Sequence, residues 1–135
     1  MESKDIFNVA TIEIFRLCLE EFPSEVELDH KKIAREVGEF FPEPTDEVKL
    51  FQHLGLLNQK VQDTISWLTH EGYIRVKTNY VSQPSWYVVT PKGLQAASVT
   101  IDSLESKPTF ADVIKGGVKE VTSAAVPAII GAFLK

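Results

Sequence analysis

The first part of the chain carries apolar residues at helical spacing, and residues 5–21 predict a helix. Its main apolar stripe consists of Phe7, Ala10, Ile14, Leu17 and Cys18. Pro23 closes the pattern, and a second apolar set that includes Phe15 and Leu19 lies outside the stripe. The helix is apolar over more of its circumference than a one-sided surface helix needs, so we expect it to pack on two partners.

A short strand and a second helix are predicted next. Residues 26–28 can form the strand, because they are apolar at both ends. Asp29 is a suitable N-cap for a helix over residues 30–37, and Gly38 is a natural place for that helix to end.

Residues 45–71 are predicted to form two helices separated by a turn. Thr45 or Asp46 can cap the first helix, whose apolar residues are Val48, Leu50, Phe51 and Leu54. Residues 55–58, Gly-Leu-Leu-Asn, begin with Gly and end with Asn, which are both common in turns, and so they predict a turn. Residues 59–71 then form the clearest helix of the chain, with apolar positions at spacings of four and three.

After this helix the pattern changes from helical to alternating. Residues 73–77 predict a strand, residues 79–84 a polar tip and residues 86–89 the return strand of a β-hairpin. Thr90 and Pro91 begin a short helix, because threonine is a good N-cap and proline suits the first helical position.

The end of the chain is its most apolar part. Residues 98–108 are predicted to be a polar linker, and residues 109–135 a C-terminal helix. The apolar stripe of that helix includes Phe110, Ile114, Val118, Val121, Ala125 and Ala128. Residues 121–134 carry no charge, but the run is shorter than the roughly 18–20 residues that span a bilayer, and Pro127 interrupts it.

Composition limits the class of protein. The 135 residues, of which 44% are hydrophobic and 24% charged, suit one folded core with an appendage. The single cysteine, Cys18, can form neither an internal disulfide nor a multi-thiolate zinc site. The first residues also lack the basic and apolar pattern of a secretory signal, so we expect a cytoplasmic protein.

Charge is unevenly distributed along the chain. The formal net charge is -5, and the acidic residues are concentrated in residues 1–57, whereas residues 58–97 carry four Lys or Arg against two Asp or Glu. Phosphate binding depends on clustered Lys and Arg, so a nucleic-acid surface is expected within residues 58–97.

Two runs in this middle segment resemble the winged helix-turn-helix of bacterial regulators. The first is ISWLTHEGYI, residues 65–74, and the second is VVTPKGL, residues 88–94. In that family a recognition helix ends in a Leu-x-x-Glu-Gly-aromatic-Ile turn, and the second wing strand runs into Thr-x-Lys-Gly-Leu. The resemblance covers about residues 5–97 and implies the order helix, strand, helix, helix, two-stranded wing. Winged helices bind DNA, RNA or proteins, so the resemblance predicts the fold more strongly than the function.

The chain departs from that family between the two helices of the motif. Residues 39–58 separate them, whereas a DNA-reading motif has a turn of about three or four residues. Either the helix that begins near Thr45 replaces the second helix of the motif, with residues 55–58 as the turn, or it is an insertion. The predicted fold is α+β: a winged helix in residues 1–97 with an inserted helix, the 98–108 linker, and the C-terminal extension in residues 109–135.

The candidate DNA-binding residues lie on the recognition-like helix and around the wing. The helix would enter the major groove, and residues on and after the wing would contact phosphates or the minor groove. The candidates are Gln59, Lys60, Gln62, Ser66, Arg75, Lys77, Asn79 and Lys92. The helix has one Lys and no Arg, and a solvated helix face beside an ordinary hairpin edge is the alternative interpretation.

Catalytic and metal-binding chemistry is not predicted. The chain has no glycine-rich phosphate loop and no Gly-x-Ser-x-Gly motif, and Cys18 lies on an apolar stripe, so no cofactor and no enzymatic activity are expected. The histidines lack ligand spacing and are expected at the surface or in caps: His30, His53 and His70. Trp67 and Trp86 are expected to complete the core.

The sequence therefore predicts a dimeric DNA-binding protein that regulates transcription. The tail helix is expected to pack on first helices within a homodimer, through its stripe together with Phe15 and Leu19. Each subunit would then read one half of an inverted repeat in double-stranded DNA. The alternative is a module that binds no DNA and docks a protein partner or a membrane surface through residues 109–135.

Overall fold

The computed structural model describes residues 3–78 and 85–134, with the side chains of Thr78 and Lys119 left out. Within these ranges the chain forms six α-helices, one 3-10 turn and three strands. In order they are α1 (Ser3–Glu21), β1 (Val26–Glu27), α2 (His30–Gly38), α3 (Glu47–His70), β2 (Ile74–Thr78), β3 (Trp86–Val89), α4 (Pro91–Ala97), α5 (Phe110–Ile114), the 3-10 turn (Val118–Glu120) and α6 (Val126–Phe133). The fold class is α+β, as predicted.

The three strands form one antiparallel sheet in the order β1-β3-β2. β3 pairs with β2 through Ile74 and Val89 and with β1 through Val26 and Tyr87. The register between β2 and β3 shifts after Val76, where the pairing is irregular. The predicted strands and the hairpin are confirmed, and the predicted tip at residues 79–84 lies outside the described residues.

Three of the predicted helix starts are confirmed by their capping hydrogen bonds. The Asp29 side chain accepts from the amide of Lys31 at 3.0 Å, and Thr90 accepts from the amide of Gly93 at 3.1 Å. At the start of α3 the cap is Asp46, which accepts from the amide of Lys49. Each cap satisfies a backbone N–H that has no partner inside its helix.

α1 lies at the centre of the core and is covered by the middle helices and by the tail of the chain. Its residues Ile6, Ile12, Ile14 and Phe15 are fully buried. α2 and α3 pack against it, and so do α5 and α6 of the tail. α1 therefore packs on four helices, more than the two partners predicted, which explains its wide apolar circumference.

The predicted turn at residues 55–58 is wrong, because α3 is a single helix over these residues. Its buried positions continue through the predicted turn without a break: His53, Leu57, Val61, Thr64, Ile65 and Leu68. Leu57 lies against Gly38 of α2, where a Cβ would be only 3.1 Å from the leucine Cδ1. Both interpretations of the helix near Thr45 are thereby corrected, because it is the first half of α3 and neither a separate helix nor an insertion.

The prediction of one continuous tail helix is also wrong. The tail bends at Gly117, whose φ of 80° is unfavourable for other residues, and forms α5, the 3-10 turn and α6. Five of the eight residues predicted for dimerisation are buried in the core of the single chain, Phe15, Phe110, Ile114, Val118 and Val121, and Leu19 is partly buried against it. Ala125 and Ala128 are also partly buried against that core. The tail does pack on α1 as predicted, but on the α1 of the same chain, whereas the prediction placed this contact within a homodimer.

Residues 98–108 do not separate two packing units. Ile101 is buried, and its amide donates to the carbonyl of Pro108 at 2.8 Å, so the segment folds back on itself. The amide of Phe110 then donates to the carbonyl of Val99 at 3.0 Å. Residues before and after the predicted linker share one apolar core. None of the helices in the described part of the chain has the length and apolar character needed to cross a bilayer.

Candidate nucleic-acid interface

The second half of α3 turns a polar face away from the core. Gln59, Gln62 and Ser66 are exposed, whereas Val61 and Leu68 are buried. Each residue advances about 100° around a helix, which places the three polar residues within one sector opposite the buried side. The sector is narrow enough that one bound molecule could contact all three side chains.

Two of these side chains already make hydrogen bonds within the chain. The Gln59 amide donates to the Asp63 carboxylate at 3.0 Å, and the Gln62 Nε2 atom lies 2.7 Å from the His30 Nε2 atom. Both pairs are exposed, and an exposed pair can be exchanged for another hydrogen-bonding partner at small free-energy cost. The glutamines can therefore turn toward a ligand.

Lys60 lies away from this face. It is half-buried beside α1, in an open cleft of about 400 Å³ that is also lined by Lys4, Phe7, Asp63 and Trp67. Lys60 and Ser66 therefore cannot both contact one DNA groove that faces the outward side of α3. The sequence analysis had placed both among the residues that bind DNA.

β2 carries two exposed cations, Arg75 and Lys77, at alternate positions. Neither forms an ion pair within the described part of the chain. β2 follows directly on the C-terminal end of α3 and packs against it. Asn79, the next predicted contact, lies outside the described residues.

Lys92 has a structural role that the sequence did not reveal. Its ammonium group donates to the carbonyl of Glu71 at 2.7 Å and lies 4.5 Å from the centre of the Tyr73 ring. The group therefore satisfies a carbonyl at the end of α3, where a positive charge is favourable, and makes a cation–π contact.

The two sequence runs that carry the family resemblance contact each other at the C-terminal end of α3. The Thr90 hydroxyl donates toward the carbonyls of Gly72 and Tyr73, and Gly93 packs so closely that a Cβ there would be 2.2 Å from the Tyr73 carbonyl oxygen. The spacing of these residues is thus explained by the docking of α4 on the end of α3. It indicates a fold and no chemistry.

Trp67 is less buried than predicted. Its side chain is 39% exposed and packs edge-on against Phe7, with ring centres 5.2 Å apart, and nearly parallel to Tyr73 at 6.0 Å. Tyr73 in turn contacts Phe133 at 5.0 Å. Trp67 is therefore the surface end of an aromatic row that reaches the core. Trp86 is half-buried on β3.

The first half of α3 exposes three of the apolar side chains that the sequence analysis assigned to the helix near Thr45. Val48 is 65% exposed, Phe51 80% and Leu54 48%. We call these three side chains the α3 patch. The helical period does not reveal this exposure, because Leu54 lies on nearly the same side of α3 as the buried Val61; the exposure depends on how far α2 extends beside α3.

A cleft of about 570 Å³ between α1 and α2 is lined by charges of both signs, including Glu13, Arg16, Lys32 and Glu36. The Arg16 Nε donates to the buried carboxylate of Glu13 at 2.6 Å, and this hydrogen bond raises the pKa of Arg16. A second ion pair joins Arg16 to Glu20 at 3.1 Å. Two carboxylates neutralise the Arg16 guanidinium, which is therefore not free for an anionic ligand, whereas Lys32 and Arg35 also line the cleft.

Side chains that could hold a metal ion are not clustered in the described residues. No cluster of three or more His, Cys, Asp or Glu side chains could hold a metal ion there. Burial raises the pKa of the Cys18 thiol to about 12, so the thiol stays protonated near neutral pH. His53, which was expected at the surface, is buried in α3.

Comparisons with known proteins identify no relative: no family model matches the sequence, and no curated protein or solved structure is significantly similar.

Proposed function

We propose that this chain is a winged-helix protein that binds double-stranded DNA and regulates transcription without catalysing a reaction. The order α1, β1, α2, α3 and the β2–β3 hairpin is compatible with that fold, as is the small antiparallel sheet. In this interpretation α3 is the recognition helix and the hairpin is the wing.

One observation carries the proposal. The outward face of α3 from Gln59 to Ser66 offers amide and hydroxyl groups, and the adjoining β2 bears the cations Arg75 and Lys77, which form no ion pair with any other described residue. Amides and hydroxyls can hydrogen-bond to base edges, whereas cations bind phosphates and supply most of the affinity. Lys60 and Lys92 are left out of this interface, because one lies beside α1 and the other holds the end of α3.

The alternative function, docking of a protein or membrane through residues 109–135, has less support. The apolar side chains that such docking requires, among them Phe110 and Ile129, are inside the core. Exposing them would remove the cover from α1.

The test is the affinity for duplex DNA, measured by fluorescence anisotropy from about 50 to about 200 mM salt. We expect the affinity of the natural chain to fall steeply with salt. The double variant Arg75→Gln with Lys77→Gln should bind at least about 10-fold more weakly, with a salt slope smaller in magnitude by roughly 2, because two phosphate contacts are lost.

A matched control removes the same charge elsewhere. Lys107 and Lys115 are both exposed and lie in the C-terminal part of the chain, so changing both to Gln should leave the affinity nearly unchanged. Equal weakening by both double variants would show that only net charge matters. No binding of the natural chain at the lowest salt would overturn the proposal.

A further inference from the structure

The α3 patch is an uncovered apolar surface on an otherwise ordinary fold. Phe51 is the most exposed of the large apolar side chains, at 80%, and Val48 and Leu54 lie within one turn of it. Contiguous exposed apolar side chains of this kind are often the site at which another molecule binds. The tail cannot cover the patch, because its apolar residues are already buried against α1.

We propose that a second copy of this chain covers the α3 patch. The two α3 helices pack antiparallel about a two-fold axis near Phe51, which makes the protein a homodimer in solution. This inference goes beyond DNA binding and does not depend on it.

The charge pattern favours a second copy over a partner of another sequence. Residues 48–62 contain no acidic residue, and their two lysines, Lys49 and Lys60, lie on the side of the helix opposite Phe51; the one charge on the patch side is Glu47, one turn before Phe51. In an antiparallel pair about Phe51 the apolar centres of the two patches meet, and the two Glu47 side chains lie about one turn from the axis in opposite directions, so they do not face each other. An uncharged centre is unusual in residues 1–57, where acidic residues are more than twice as numerous as basic ones, and it offers a different protein little charge to recognise.

The area of the patch is also consistent with self-association. With about 100 Å² for a fully exposed Val or Leu and about 200 Å² for Phe, the three side chains expose roughly 300 Å² of apolar surface. The two patches of a dimer together supply roughly 600 Å² of apolar surface. If apolar atoms make up about 60% of the buried surface, the whole interface buries roughly 1,000 Å². That total is at the lower limit for a specific interface, so we expect a dimer of micromolar affinity.

The helix has room for close approach at this point. A Cβ on Gly55, one turn after Phe51, would have no atom within 4 Å in the same chain. An antiparallel crossing near Phe51 brings this glycine of one copy next to the phenylalanine ring of the other. The ring can then pack against backbone, which increases the apolar area that the dimer buries.

The same packing suits the proposed DNA contacts. The centre of the patch, Phe51, is about a fifth of a turn around the helix from the line of Gln59 and Ser66. A two-fold axis between the helices therefore turns both polar faces toward the same side. At about 1.5 Å per residue, the middles of the two polar faces lie roughly 35 Å apart, close to one turn of B-DNA.

The test is sedimentation equilibrium of the full chain without DNA, from low micromolar to several hundred micromolar. We expect the mass to rise with concentration from 15.1 kDa toward twice that value. Phe51→Gln should raise the dissociation constant at least about 10-fold. The matched control is Leu134→Gln, which changes an apolar side chain of the tail that is 40% exposed, and it should leave the constant unchanged.

A charge-pairing experiment identifies the partner surface. Phe51→Lys and Phe51→Glu chains should each remain monomeric, because like charges meet near the axis, whereas an equimolar mixture should form a heterodimer. Two results overturn the proposal. One is a natural chain that stays monomeric at every concentration, and the other is a dimer that tolerates Phe51→Gln but dissociates with Leu134→Gln. Because DNA is absent, failure here is separate from failure of the DNA-binding proposal.

Discussion

The tail and the first half of α3 are alike in sequence but differ in the structure. Both are apolar segments with few charges, yet the tail buries Phe110 and Phe133 completely while α3 leaves Phe51 80% exposed. The tail is made of short pieces joined by bends, and these can fold onto α1. α3 is one rigid helix of 24 residues, about 36 Å long, whereas α2 beside it has nine residues and is only about 14 Å long. The spacing of apolar residues therefore predicts which face of a helix must be buried. The lengths and bends of the neighbouring elements decide whether residues of the same chain bury it.

Removing the tail is expected to have the largest effect on the stability of the protein. A chain that ends at residue 107 loses Phe110, Phe133 and the other core residues that cover α1. We expect it to lose cooperative thermal unfolding, as followed by circular dichroism, because the apolar surface of α1 becomes exposed. A truncated chain with a sharp unfolding transition would show that the tail is an appendage after all.

The second prediction compares one phenylalanine from each region. Phe133→Ala should lower the free energy of unfolding by about 3–5 kcal/mol, because the ring packs against Phe15 at 4.7 Å and Phe110 at 4.6 Å. Phe51→Ala should change it by less than about 0.5 kcal/mol, since this side chain contacts mainly solvent in the monomer.

Denaturant unfolding at a protein concentration below the range of dimerisation measures both phenylalanine effects. Equal losses for the two variants would mean that the first half of α3 is covered within the chain. That result would contradict the exposure on which the dimer proposal rests.

The third prediction uses a glycine from each region and has the smallest expected effect. Gly117→Ala should destabilise the protein by about 1–3 kcal/mol, because φ is positive there and a Cβ would meet Arg16 at 3.1 Å. Gly55→Ala should stabilise the monomer by up to about 1 kcal/mol, because its site is open and alanine favours a helix. Thermal unfolding of the two variants gives the comparison, and a destabilising Gly55→Ala would indicate a close contact that the single chain does not contain.

Local elements were predicted well from the sequence, because their signals are local. The caps at Asp29, Asp46 and Thr90 and the change to an alternating pattern after Gly72 depend only on neighbouring residues. The break at residues 55–58 was predicted from Gly and Asn, which are common in turns. It failed because the burial of His53, Leu57 and Val61 against α1 and α2 favours a continuous helix more strongly than one glycine opposes it.

The candidate interface was predicted in part. Gln59, Gln62 and Ser66 do share an outward face, since a helical period alone determines that grouping. Lys60 and Lys92 were included for their charge, but their surroundings depend on α1 and on the end of α3, which are distant in sequence. The α3 patch was missed for the same reason, because its exposure depends on how far α2 extends beside α3.

By itself, the sequence determined the α+β class, the main strands and caps, and the fact that α1 must be covered on several sides. Only the tertiary structure decided that the tail of the same chain supplies this cover and that the first half of α3 is left exposed. The reason is physical: hydrophobic attraction has no direction and fixes no partner. The partner is selected by the lengths, bends and close contacts of the elements, which exist only once the chain has folded.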